Sequence, residues 1–277
     1  MKRSFLIITI LLSFKIIAVA QADIANKYGN TITGIELKKQ LSIIASDEMD
    51  GRETGTEGQR KAAAYIEGQF KQMGLIALDT LKGYQQFYPL YQDSMTSTLT
   101  VNKIPAVYGT DYLCPAASND NGNNKAAKII FAGYGIEDNN YSDYTNIDVK
   151  GKVVVFFLGE PKQNDLYLIS GTKSAGKWSY PGLNLKLALA ASKGAAGAFV
   201  INPSQDVFSQ KAIDNSKKTN FYFPRQSAGK PVNYALLSHA FAKNLLGKNF
   251  DTILALVKTG GLLNTLPVLD KKNESGI

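Results

Sequence analysis

Apolar positions recur at helical spacing in two stretches near the start of the chain, then alternate or run continuously farther on. Leu37, Leu41, Ile44 and Ala45 share one helical face, and Thr33-Gly34-Ile35-Glu36 has capping-box spacing, so a helix is expected over about 34–45. Thr56-Glu57-Gly58-Gln59 repeats the capping pattern. Ala62, Ala63, Ile66, Phe70 and Met73 then line a second stripe and Gly74 suits a left-handed stop, which predicts a helix over about 57–73. Each large side chain on these faces gains about 1.5–3 kcal/mol if buried, so both helices require a partner surface. After Gly83 the pattern changes to period two, and Tyr84–Leu90 and Ser97–Val101 read as short edge strands.

Residues 115–125, PAASNDNGNNK, are rich in turn formers and mark a boundary. Beyond them strands alternate with helices. Ala127–Ala132 and Lys152–Leu158 are nearly continuous apolar runs of the kind that form buried strands. Leu183–Lys193 carries Leu187, Ala188 and Ala191 at helical spacing and stops at Gly194. Ala198–Ile201 and Val232–Leu237 read as further strands, and Ser238 caps a short helix bearing Phe241, Leu245 and Leu246 up to Gly247. Residues 204–230 form a long polar insertion with a Tyr222-Phe223-Pro224 patch.

The first twenty residues stand apart. Lys2 and Arg3 precede an apolar run from Phe5 to Ile17, and Ala18-Val19-Ala20 forms a small-residue cleavage pattern before Gln21. The run is shorter than the roughly 20 residues that span a bilayer, so it reads as a cleaved signal peptide and the mature protein as exported, periplasmic or extracellular. Removing Lys2, Arg3 and Lys15 lowers the formal net charge from +8 to +5. The remaining lysines are scattered, and no basic run interleaved with aromatics marks a nucleic-acid groove. Cys114 is the only cysteine, which excludes an intrachain disulfide and reads as a half-buried inert thiol.

The strand GKVVVFFLGEP, the stretch LNLKLALAASKGAAGAFVINP and the later VNYALLSHAFAKNLLG resemble a protease-associated domain across about residues 127–247. Preceded by GRETGT and a capped helix, that order resembles the front half of the two-zinc exopeptidases, the family of secreted aminopeptidases and glutamate carboxypeptidases. The resemblance implies an α/β fold: N-terminal helices of a zinc-peptidase domain followed by a mixed α/β protease-associated domain. It implies a peptidase-like part over 21–114, a linker at 115–126, the protease-associated domain at 127–250 and a truncated return to the peptidase domain over 251–277. The family's ligands lie in a His-x-Asp strand end, an Asp-Asn loop and a Glu-Glu pair. His239, the only histidine, is followed by Ala240 and Phe241 and fits none of them. No catalytic, cofactor or metal residue is therefore assigned, and zinc is expected only in a full-length family member, because a catalytic zinc takes three protein ligands.

Asp47, Glu48, Asp50 and Glu53 lie close enough to perturb one another, but read as a solvated loop before a helix, with Arg52 pairing one of the acids. Asp138, Asp143 and Asp148 read as exposed turn acids rather than a calcium site. Ser170-Gly171-Thr172-Lys173 and Lys258-Thr259-Gly260 match two serine-hydrolase patterns, but no helix follows Ser170 to position a nucleophile. Gly133-Tyr134-Gly135 lacks the third glycine of a phosphate loop. Two readings follow: an inactive amino-terminal portion of an exported zinc aminopeptidase-like enzyme, or a complete non-catalytic protein whose protease-associated domain binds a peptide or protein.

Overall fold

The computed structural model describes residues 24–81, 83–126, 128–138, 141–179, 182–223 and 232–264. The leader expected over 1–20 lies outside them. The chain divides into two compact units, up to Tyr88 and from Pro89 onward.

In the first unit α1 spans Gly34–Ile44 and α2 spans Glu57–Gln72, close to the ranges that the capping residues predict. Thr33 and Thr56 accept hydrogen bonds from the amides of Glu36 and Gln59, which relieves orphan N–H groups of each first turn. Between the helices a 3-10 segment, Asp47–Arg52, kinks where Asp50 and Gly51 adopt positive φ. Gly58 lets α2 approach that kink: a Cβ there would stand 2.2 Å from the Met49 carbonyl oxygen. Met49 and Ala62 are buried, whereas the expected stripes are largely outward, with Leu41 63% and Met73 67% exposed. Tyr84–Leu90 forms no strand, contrary to its alternating pattern. Its side chains bond locally instead, Gln85 to Glu67 and Tyr84 to the Leu75 carbonyl, and Phe87 remains exposed.

The second unit begins with the hairpin β1 (Leu99–Val101) and β2 (Ile104–Ala106), then adds β3 (Tyr112–Leu113) and β4 (Ile129–Phe131). Short ribbons follow as β5 (Glu137–Asp138) with β6 (Tyr141–Ser142), and β8 (Lys162–Gln163) with β9 (Leu166–Tyr167) on either side of β7 (Val153–Phe157). The remaining strands are β10 (Gly197–Ile201) and β11 (Tyr234–Leu237). The main sheet runs β3-β11-β10-β7-β4, parallel except for β3, which pairs antiparallel with β11. Leu99 and Val101 join its core and Tyr112 its edge, so the unit reaches well before the turn-rich 115–126 stretch that the sequence marks as the boundary.

Alternation along β7 sends Val153, Val155 and Phe157 to one face and Val154 and Phe156 to the other, and both faces are covered. Helix α3 (Leu183–Ser192) lies on the second face through Leu187 and Ala190. In the polar insertion, α4 (Gln210–Ser216) is capped by Ser209, and Tyr222 pairs with Tyr91 through two 2.9 Å backbone bonds. Helices α5 (His239–Leu246) and α6 (Phe250–Thr259) cover the first face with Leu245, Leu246, Phe250, Ile253 and Val257. Thus residues from 251 on, expected to begin a return to another domain, contribute Ile253 and Val257 to this core. Among the described residues no helix is long and apolar enough to cross a membrane.

Candidate functional site

Two paired parallel strands, β4 and β7, end in glycine-rich turns, and a buried lysine from α3 closes the space above them. Lys186 is fully buried; its ammonium donates to the carbonyls of Tyr134 at 2.7 Å, Gly159 at 2.6 Å and Phe157 at 3.4 Å. Three donors thus meet three acceptors. Burial lowers its pKa to about 7, against the opposing pull of Asp143 and Glu160.

Asp143 lies beside it. One carboxylate oxygen accepts the amides of Tyr134 and Ile136, each at 3.1 Å, and the other accepts the Tyr141 hydroxyl at 2.6 Å. Burial raises its pKa to about 6 although these bonds and the Lys186 charge pull the other way. The Gly133-Tyr134-Gly135 turn makes this possible. Gly133 has φ +48, and a Cβ there would fall 2.2 Å from an Asp143 oxygen, while one on Gly135 would fall 2.8 Å from the Phe156 ring. Glu160, 3% exposed, has both carboxylate oxygens without a hydrogen-bond partner among the described residues. Asp143 is therefore no exposed turn acid, and Lys186 and Glu160 carry no sequence signal beyond their interruption of apolar runs.

In an open α/β sheet, ligands favour the carboxyl ends of the strands. Here the carbonyls at that end of β4 and β7 are bonded by Lys186, and a cavity lies at the opposite end. Its volume is about 630 Å³, and Val153, Gly197 and Tyr234, from the starts of three parallel strands, contribute to its wall. The rim is the 119–125 loop together with Thr96, Ser97, Thr98 and Thr100. Side-chain amides hold that loop: Asn119 accepts the Tyr234 amide at 2.6 Å, and Asn233 accepts the Asp120 amide at 2.8 Å while donating to its carbonyl at 2.9 Å. The cavity size suits a small molecule or a short peptide stretch. Cys114 also lines it, with its thiol pKa pushed up by burial, which disfavours a thiolate nucleophile.

The other sequence candidates are not brought together. Asp47, Glu48, Asp50 and Glu53 are all exposed, and Arg52 donates to the Ile44 carbonyl rather than to an acid. Asp138 accepts the Trp178 indole N–H at 2.7 Å and pairs with Lys177, whereas Asp148 pairs with Lys152, so the three aspartates 138, 143 and 148 serve separate local networks. Ser170 bonds to Thr172 and to the Ser174 carbonyl, and Gly260 of the Lys-Thr-Gly sequence is the left-handed cap of α6. His239 Nε2 lies 2.8 Å from the Asn202 carbonyl oxygen and its ring stands edge-on to Phe250. Among the described residues no group of three His, Cys, Asp or Glu side chains is placed to hold a metal.

No family model matches the chain, and no curated protein matches its sequence. Among solved structures it is similar to an aminopeptidase from Aneurinibacillus sp. strain AM-1, at 15% identity and a TM-score of 0.37, over 80% of this chain and 43% of that one. It is also similar to BSAP, a zinc aminopeptidase from Bacillus subtilis, at 16% identity and a TM-score of 0.32, over 75% of this chain and 39% of that one. The chain thus spans about two fifths of the length of these structures.

Proposed function

We propose that the chain is the front portion of an exported zinc aminopeptidase-like protein, in which the unit from Pro89 onward acts as a protease-associated module that binds peptide without cleaving it. The observation that carries this reading is the cavity at the amino ends of the parallel strands. Its wall includes the strand starts at Val153, Gly197 and Tyr234, and its rim offers amide and hydroxyl groups from Asn121, Asn123, Thr98 and Thr100, which suit the alternating donors and acceptors of a peptide backbone. The order of GRETGT, capped helix and parallel-sheet module supports the family part of the reading, as do the outward apolar residues of α1 and α2, which suit a further surface. The alternative, a non-catalytic binding protein acting alone, shares the cavity and leaves that stripe uncovered.

The test is a pair of assays on the purified mature chain. Binding of short unstructured peptides, followed by calorimetry, is expected to be saturable and to weaken when Thr98→Trp, at the exposed rim, obstructs the cavity. Incubation with zinc and an aminoacyl nitroanilide is expected to release no product. Chelator-sensitive turnover by this chain would overturn the non-cleaving role, and peptide binding unaffected by Thr98→Trp would overturn the site.

A further inference from the structure

We propose that Asn121 is a site of spontaneous deamidation, by which the cavity rim acquires a new carboxylate as the protein ages. Asn121-Gly122 is the only Asn-Gly pair in the chain. In this reaction the Gly122 backbone nitrogen attacks the Asn121 side-chain carbonyl carbon. The new C–N bond closes a succinimide, and the side-chain amide leaves as ammonia, taking up the proton lost from the attacking nitrogen. Water then opens the ring at either carbonyl, giving aspartate or isoaspartate. No oxidant, metal or second protein is needed.

The structure leaves that path open. Asn121 and Gly122 are both exposed and lie outside helix and strand, and neither forms a hydrogen bond among the described residues. The attacking nitrogen is therefore not committed to a ladder, and no side chain on residue 122 shields it. Tethering is one-sided: Asn119 and the reciprocal Asn233–Asp120 bonds hold the loop up to position 120, just before the reacting pair. The product is consequential because 121 and 122 both line the cavity. Aspartate there stands next to Asp120, and isoaspartate adds a carbon to the loop backbone, so the rim shifts toward cationic ligands. The inference is independent of what the cavity binds.

Peptide mapping by mass spectrometry, after incubation of the folded mature chain at mildly alkaline pH, tests it. Conversion at Asn121 to mixed aspartate and isoaspartate is expected, several-fold faster than at Asn123 or Asn124. Gly122→Ala provides the control, since its φ is not positive and a Cβ would meet only the Asn233 side-chain nitrogen at 3.9 Å. That variant is expected to convert several-fold more slowly with an unchanged melting temperature. Conversion that occurs only in the urea-unfolded chain, equal rates in Gly122→Ala, or preferential conversion at Asn123 or Asn124 would each overturn the proposal.

Discussion

Lys186 holds Tyr134 in two ways: its ammonium donates to the Tyr134 carbonyl at 2.7 Å and stands 5.8 Å from the centre of the Tyr134 ring. A cation above an aromatic face is favourable, and a charge-assisted bond to a carbonyl adds to it. Neither offsets the desolvation that lowers the lysine's pKa from 10.5 to about 7.

Between pH 7 and pH 10.5 the unfolded chain binds a proton at Lys186 that the folded chain has released, so stability rises with pH across this window. The slope is at most about 1.4 kcal/mol per pH unit for one proton. Urea denaturation of the native chain and of Lys186→Met, compared across this range, is expected to show the native curve rising relative to the variant. Parallel curves would remove the lysine from the account.

Asp143 gives the opposite sign. Its folded pKa of about 6 lies above the ordinary 3.8, so the folded chain holds the extra proton between these values and the contribution is lost as pH rises through 6. Asp143→Asn is expected to flatten that part of the profile while retaining the fold, because the amide oxygen still accepts the Tyr134 and Ile136 N–H groups. The Tyr141 hydroxyl would then turn from donor to acceptor.

Gly133→Ala is expected to be much worse than Asp143→Asn. It forces a side chain into positive φ and against the Asp143 carboxylate, at a combined cost of about 2–4 kcal/mol. A thermal melt settles the comparison.

In the first unit, Gly58→Ala is expected to cost about 1–3 kcal/mol, because its Cβ would press on the Met49 carbonyl. Thr56→Ala, which only removes a cap, is expected to cost about 1 kcal/mol. Helix content by circular dichroism during urea titration ranks the two, and the reverse order would contradict the close approach at Gly58.

How much of this was legible varies by element. The strands β7 and β10 are apolar on both faces because helices cover both, and such runs announce themselves without a partner in view. The capped starts of α1 and α2 are local chemistry and were equally plain. Tyr84–Leu90 misled because alternation signals a strand only where a neighbouring edge accepts it. The place of α6 in this unit is not legible from its residues, because Ile253 and Val257 specify a helical face but not which sheet it covers. The charged cluster was hidden for a different reason. A lysine in a helix and an aspartate in a turn are nearly always solvated, and only the folded chain shows Lys186 and Asp143 drawn inside. The amide-rich cavity rim read as a linker because its tethers, Asn233 to Asp120 and Asn119 to Tyr234, join residues remote in sequence.

The antiparallel edge formed by β3 and β11 bears on the order of assembly. Leu113 pairs directly with Leu236 although β4, β7 and β10 all lie between them in sequence. Closing so wide a span is entropically costly until the intervening parallel strands have condensed. A chain emerging progressively, from a ribosome or through a translocation pore, therefore cannot complete this sheet until β11 has cleared the exit. Until then β3 lacks the only strand partner that the finished sheet gives it.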